Sequence, residues 1–217
     1  MATRFYPDPT FSPDVSPTVD GIWDEVASLI RRKLTIDSPL SAGSSVTSDT
    51  DTFASVTYFL LYQFVSEPLD SISATFAVSK AAFRCKESGA KLDAVTHIVF
   101  RKCDGDGNSP VTIASITDDT EYDDGDVVNR FVGAANLADQ ALSQGDRLIV
   151  EVGFYSSATK STSLVGSIYV RDNSGTDLPE NDTETAAYNS WIETGDTFTE
   201  ASGEPAAIKL GPMFTFA

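Results

Sequence analysis

The residues in this chain with chemistry to offer are few, and most are carboxylates. Asp104, Asp106 and Asn108 stand at alternate positions, the spacing that opens an EF-hand calcium loop. The pattern then breaks. Ser109 stands where that loop needs glycine, and Ser115 stands where it needs a bidentate glutamate. The run Asp104-Gly105-Asp106-Gly107-Asn108 therefore reads as a hairpin turn. Asp118, Asp119, Asp123, Asp124 and Asp126 form a second acidic stretch. It could hold a calcium ion only by folding back on itself, and a solvated loop is the simpler reading. His97 is the only histidine. A Ser-His-Asp triad would have to use it, yet no nucleophile-elbow sequence accompanies it. A zinc site would want several His or Cys. A pair of carboxylates for glycoside hydrolysis cannot be read from spacing along the chain. A non-enzyme without a cofactor or metal is expected.

Cys85 and Cys103 end successive strand-like runs. If those runs pair as a hairpin around residues 87–91, Cys103 falls many positions along the ladder from Cys85, too far for a bridge. Both are expected as free thiols. Trp23 and Trp191 are the large aromatics, and packing is the expected role of Trp191, which Ile192 follows directly.

The elements that would position these groups are β-strands. Leu148, Val150, Val152 and Phe154 alternate with Ile149, Glu151, Gly153 and Tyr155, the period of a strand with one face in a core. Gly145-Asp146 supplies the turn before it, and its length suits a mid-sheet position. Similar runs occupy residues 53–66, 71–85, 94–103, 111–116, 127–132, 163–171, 188–192 and 206–216. Turn residues separate them, in the pattern of an antiparallel β-sandwich of jelly-roll type. Residues 20–33 are the one helix candidate, since Ile22, Val26, Leu29 and Ile30 follow helical spacing. The rival reading is a turn followed by a strand through residues 31–36. Residues 1–17 carry Pro7, Pro9, Pro13 and Pro17 among Phe5, Tyr6 and Phe11. They read as an extended arm outside the core, docked on the chain's own body or on a neighbour. The organisation expected is an arm (1–17), a connection (18–52) and a sandwich (53–217).

Across 217 residues the formal net charge is −17, and hydrophobic residues make up 41%. The size allows burial of roughly 70% of the unfolded surface without disulfide or metal. Such a charge repels nucleic-acid phosphates and anionic lipid, and no apolar run is long enough to span a bilayer. Neither nucleic acid nor membrane is expected as a partner. The N-terminus shows no signal-peptide h-region, so synthesis in a cytoplasm is expected.

Several segments, in order, resemble a group of tailed-bacteriophage virion proteins. They are the Pro-spaced arm before Trp23, Arg31-Arg32-Lys33-Leu34, and Phe83-Arg84-Cys85-Lys86-Glu87-Ser88. Gly145-Asp146-Arg147-Leu148-Ile149-Val150-Glu151-Val152-Gly153, Asp177-Leu178-Pro179-Glu180 and Asn189-Ser190-Trp191-Ile192 follow. The resemblance implies a structural component of the virion, made in the host cytoplasm, with no catalytic residues to carry over. A capsid cement or decoration protein is expected, bound to the major capsid protein or other virion subunits and to itself as a homotrimer. The alternative is a tail-associated carbohydrate-binding module. Phe5, Tyr6 and Phe11 on the arm and the basic cluster Arg31, Arg32 and Lys33 are the expected partner contacts.

One prediction follows from the strand pattern alone. Val150→Asp should abolish cooperative thermal melting, because a buried unpaired charge costs several kcal/mol against a total stability of about 5–15 kcal/mol.

Overall fold

The computed structural model describes residues 2–8, 10–26, 29–36, 44–47, 57–70, 72–74, 79–135, 140–157, 164–170 and 175–201, with backbone alone at 44–47, 72–74 and 134–135. Among these residues the chain is all β, without a helix. In chain order the strands are β1 (Thr3–Asp8), β2 (Ile30–Thr35), β3 (Ser44–Thr47), β4 (Thr57–Ser66), β5 (Ile72–Ala74), β6 (Ser79–Glu87) and β7 (Ala94–Cys103). β8 (Val111–Glu121), β9 (Val128–Ala135), β10 (Gln140–Leu142), β11 (Arg147–Ser156), β12 (Gly166–Val170) and β13 (Trp191–Thr194) complete the set.

The main sheet is one continuous path of strands that curls around a core, with β1 joining two halves, called here the first and second sheets. In the first, β6 pairs with β9 along one edge. On its other edge β12 and β13 follow one another, extended by β3 and β1 respectively. The second runs β1-β2-β4-β11-β7-β8, so β11 lies mid-sheet, as its sequence implied. β1 belongs to both. Thr3, Arg4 and Phe5 pair with β13, and Tyr6, Pro7 and Asp8 pair with β2. β5 and β10 form a separate short ladder. Every ladder is antiparallel except β2–β4, which is parallel. The intervening residues 36–56 are long enough for the crossover that a parallel pair requires.

The core lies between the sheets. β11 sends in Leu148, Val150, Val152 and Phe154, and the opposite sheet answers with Phe83, Cys85, Ile168, Val170 and Ile192. On β4 the pairing register slips between Val152 and Gly153, so Leu61 is an extra residue in that strand. The bulge lets Phe59 and Leu61, and then Tyr62 and Phe64, all reach the core. Phe59 stacks on Phe154 at 4.9 Å and Tyr62 on Phe64 at 5.1 Å. The bulge also brings the two backbones together at Gly153, where a Cβ would stand 1.7 Å from the Phe59 carbonyl oxygen. Only glycine fits there.

Several expectations change. Residues 20–33 form no helix: they make a turn, an isolated bridge from Glu25 to Phe59, and then β2, the rival reading. Of the apolar residues that suggested helical spacing, Ile22, Val26 and Leu29 pack against Leu60, Val99 and Trp23, and Ile30 packs against the main core. Residues 3–8 of the expected arm are β1, and Phe5 is fully buried in the core. The sandwich therefore begins at β1, well before residue 53. β6 and β7 do not pair as a hairpin but sit in opposite sheets. Cys85 meets Thr96 across the core at 3.9 Å, and both cysteines are free and buried. Burial raises Cys85 to about 12, against hydrogen bonding with Tyr122 and Thr96, and raises Cys103 to about 11, against the charge of Arg147. The acidic stretch from residue 118 begins inside β8, which runs to Glu121. The expected strand at 206–216 lies outside the described residues.

Because β1 ties the two sheets together, removing residues 1–8 should unfold the domain. Phe5→Ala should lower its stability by about 3–5 kcal/mol. Chemical denaturation of the two variants checks this; a truncated protein melting like the full chain would contradict the shared-strand topology.

Candidate interaction surface

The outer face of the second sheet is closed by the chain itself. After β1, residues 10–26 cross it as an irregular strap. Phe11 accepts a backbone hydrogen bond from Lys33 of β2 (2.9 Å). Asp14 pairs with Arg147 of β11 (2.9 Å), which holds its carboxyl below the usual range although its slight burial works the other way. The Thr18 carbonyl accepts from Arg101 of β7 (2.5 Å). Asp20 accepts from the Thr112 hydroxyl of β8. Asp24 and Glu25 then return to β4 by donating to the Tyr58 carbonyl at 3.0 and 3.1 Å.

Under the strap, at the centre of β11, lies Glu151, fully buried. Arg101 (2.8 Å) and Gln63 (3.0 Å) donate to one carboxylate oxygen, and the Trp23 indole N–H (2.7 Å) donates to the other. The Asp20 amide approaches both, at 3.2 and 3.1 Å. Gln63 is held in turn by Arg31 (2.7 Å). A carboxylate out of water is tolerable only with such a full set of donors. Two of the four donors belong to the strap.

Beside this network His97 is 1% exposed. Its ring lies 5.1 Å from Trp23 and 4.7 Å from Tyr58, and its Nδ1 is 2.8 Å from the Thr117 hydroxyl. Burial pushes its pKa down to about 4, against a smaller upward pull from Asp20.

The outer face of the first sheet is closed by residues 175–190. Trp191 is fully buried and donates its indole N–H to the Leu178 carbonyl (2.7 Å). Arg4 lies over its ring at 4.2 Å and pairs with Asp177 and Glu193, both at 2.8 Å. Lys80 pairs with Glu193 (3.1 Å) and Glu180. Burial and the hydrogen bond to Asp177 raise Tyr6 to about 12. Asn129 of β9 donates to the carbonyls of Pro179 and Asn181, fixing the loop to the sheet.

The expected contact residues divide on this frame. Phe5 is core. Tyr6 is 9% exposed and packs with Trp191. Phe11, at 60%, is the most exposed large apolar side chain among the described residues. Arg31 is engaged with Gln63 and the Pro17 carbonyl, Lys33 with Glu67, and Arg32 donates to the Arg31 carbonyl. The basic cluster is largely spent on the fold. The turn at Asp104 is closed by its carboxylate, which accepts from the amides of Asp106 and Asn108. Burial, then Asp182 and Asp119, raise Asp118 to about 6. Among the described residues no group of three or more His, Cys, Asp or Glu is placed to hold a metal ion. Glu151, Arg101 and Gln63 were not singled out from sequence. The available signal was a glutamate centred in an apolar strand.

No family model and no curated protein matches the chain. Among solved structures, an aminopeptidase from a marine sediment Thaumarchaeota archaeon is 12% identical, with TM-score 0.49, over 77% of this chain and 35% of that one. A CocE/NonD family hydrolase from Staphylococcus aureus is 13% identical, with TM-score 0.42, over 75% of this chain and 34% of that one. The Eiger TNF of S. frugiperda is 10% identical, with TM-score 0.25, over 64% of this chain and 99% of that one. The chain thus spans about a third of the length of the two hydrolases. At these scores none of the three supports an argument about its activity.

Glu151→Ala should cost about 3–5 kcal/mol, since it leaves the Arg101 guanidinium buried beside a cavity. Glu67→Ala, which removes the partly exposed partner of Lys33, should cost no more than about 1 kcal/mol. Urea midpoints of the two variants test the contrast.

Proposed function

We propose that this chain is a non-catalytic structural component of a bacteriophage particle, a capsid cement or decoration protein that binds the major capsid protein and stabilises the head. The observation that carries the proposal is the closure of both broad faces of the sandwich by the chain's own segments, one fixed by the buried Glu151 network and the other by partly exposed ion pairs. A block of this kind presents an outer surface and ends for contact, as a part that must bear load between subunits does. The segments that resemble phage virion proteins fall at framework positions. Gly145 and Asp146 close a turn against Leu69, and Asn189 and Leu178 exchange a backbone hydrogen bond under the second cover. The sole histidine is enclosed by Trp23, Tyr58 and Thr117, a setting for packing rather than proton transfer to a substrate.

A carbohydrate-binding tail module would be favoured by an exposed aromatic able to stack on a sugar. Trp191 is buried and Trp23 is 6% exposed, which takes that support away. For the cement reading, the engagement of Arg31 and Lys33 moves the expected contact to Phe11. This side chain stands out from the strap while its backbone is tied to β2. A homotrimer remains the assembly proposed, because closed cyclic contacts match the local symmetry axes of a shell. Contacts of apolar character suit a chain of net charge −17, whose like-charged faces repel.

Labelled protein imaged on intact particles should cover the head. Phe11→Ser should weaken that binding severalfold with an unchanged melting temperature, and light scattering over a dilution series should give three times the monomer mass. A monomer at every concentration that leaves purified heads bare would remove the cement reading.

A further inference from the structure

We infer that residues 10–26 are an acid-released strap: protonation of His97 frees them from the outer face of the second sheet while the sandwich beneath stays folded. The topology makes such a release separable. β1 and β2 are antiparallel neighbours, with Asp8 opposite Lys33, and a tight turn would suffice to join them. The chain instead carries residues 10–26 across the sheet face before β2 begins at Ile30. Long irregular excursions have few ladder hydrogen bonds to break, which places them at the low-stability end of a fold. Lifting the strap breaks the isolated bridge from Glu25 to Phe59 but no ladder of either sheet.

The lock is the contact of Trp23 with His97. The His97 Nε2 is buried, and among the described residues none hydrogen-bonds it. An imidazolium there would carry a second N–H with nothing to accept it, within an enclosure of aromatic rings. Asp20 of the strap and Tyr58 of β4 act on it directly, and register and hydrogen bonding place Asp24 and Glu25 of the strap, Arg101 of β7, Glu151 and Tyr155 of β11 and Asp119 of β8 on the same face. Glu151 is taken up by its four donors. Asp20 is bound by Thr112 and faces Arg101 at 3.5 Å. With the strap lifted, the imidazole meets water and regains its ordinary affinity for a proton, near pH 6.5.

The sign follows from linkage. The closed state, in which His97 titrates at about 4, binds fewer protons than the open state between pH 6.5 and 4. Closure is therefore at full strength above pH 6.5 and weakens as the pH falls through that window. Opening becomes roughly tenfold more frequent per pH unit, about 300-fold across the window.

Native-state hydrogen exchange from pH 7 to pH 4 tests this on the full chain. The reporters are the amides of Asp20, Glu25 and Leu60, whose partners are Glu151, Tyr58 and Glu25. After correction for intrinsic rates, their opening constants should rise about tenfold per pH unit below 6.5, while the amides of Val150 and Phe100 keep theirs. His97→Gln and His97→Phe should flatten the rise. A flat wild-type profile overturns the inference, as does a rise that begins only below pH 5, which would belong to carboxylates. So does opening of strap and core together, or a slope that survives in the His97 variants. If neither variant folds, the wild-type profile alone decides.

Discussion

The structure depends on a charge out of water. Glu151 sits at the middle of the central strand of the larger sheet, on the face turned away from the core, and no part of it reaches solvent. A sheet with one solvated face would leave this carboxylate hydrated at no cost. Here it must be supplied with donors, and the sheet alone offers two, Arg101 and Gln63. The strap brings the Trp23 indole and the Asp20 amide. Once the strap is down, the apolar members of the same face, Leu60, Val99 and Ile149, are buried at the same stroke. Charge and apolar surface thus call for the same cover, and an irregular segment with few ladder hydrogen bonds of its own gains a fixed path.

This cover explains what could and could not be read from the sequence. The period-two pattern of β11 correctly names its core face, because Leu148, Val150, Val152 and Phe154 all lie between the sheets. The same pattern suggests that Glu151 is solvated. Alternation reports which residues share a face, not what lies over it. The helical spacing at Ile22, Val26 and Leu29 has the same origin. Those residues are apolar because the strap has an underside to bury, and an extended or turning segment satisfies that need as well as a helix does. Pro13 and Pro17 upstream favour the non-helical solution.

Other differences come from topology, which local signals do not carry. The turn residues after β6 announce a reversal, but a reversal can return along the same sheet or arch to the opposite one. The chain arches, so Cys85 faces β7 across the core rather than along a ladder. The bulge at Leu61 shifts the inward set of β4 by one residue, so its near-continuous apolar run shows no clean alternation. At the N-terminus, prolines disguised a strand. Pro7 lies within β1, opposite Leu34, in the segment where the strand passes from one sheet to the other. A strand changing partners has fewer ladder bonds to lose to a proline. Phe5, which marked the segment as a docking arm, docks instead into the core, edge-on to Phe198 at 5.5 Å.

The distribution of charge completes the picture. The chain has 15 lysines and arginines against 32 acidic residues, and many of the cations are drawn inward. Arg101 and Arg147 hold the strap, Arg4 and Lys80 hold the loop over Trp191, and Arg130 donates to the carbonyls of Glu121 and Asp182. Each of these cations fixes an irregular segment to a sheet, the places where ladder hydrogen bonds are missing. The acidic excess is left to the outside, where hydration is cheap and mutual repulsion keeps copies apart. Among the described residues few large apolar side chains stand exposed. Phe11, lifted on the strap and flanked by Thr10 and Ser12, is one of them. The segment that supplies two donors to the buried charge of the sheet is thus also the one that carries the most exposed large apolar side chain among the described residues.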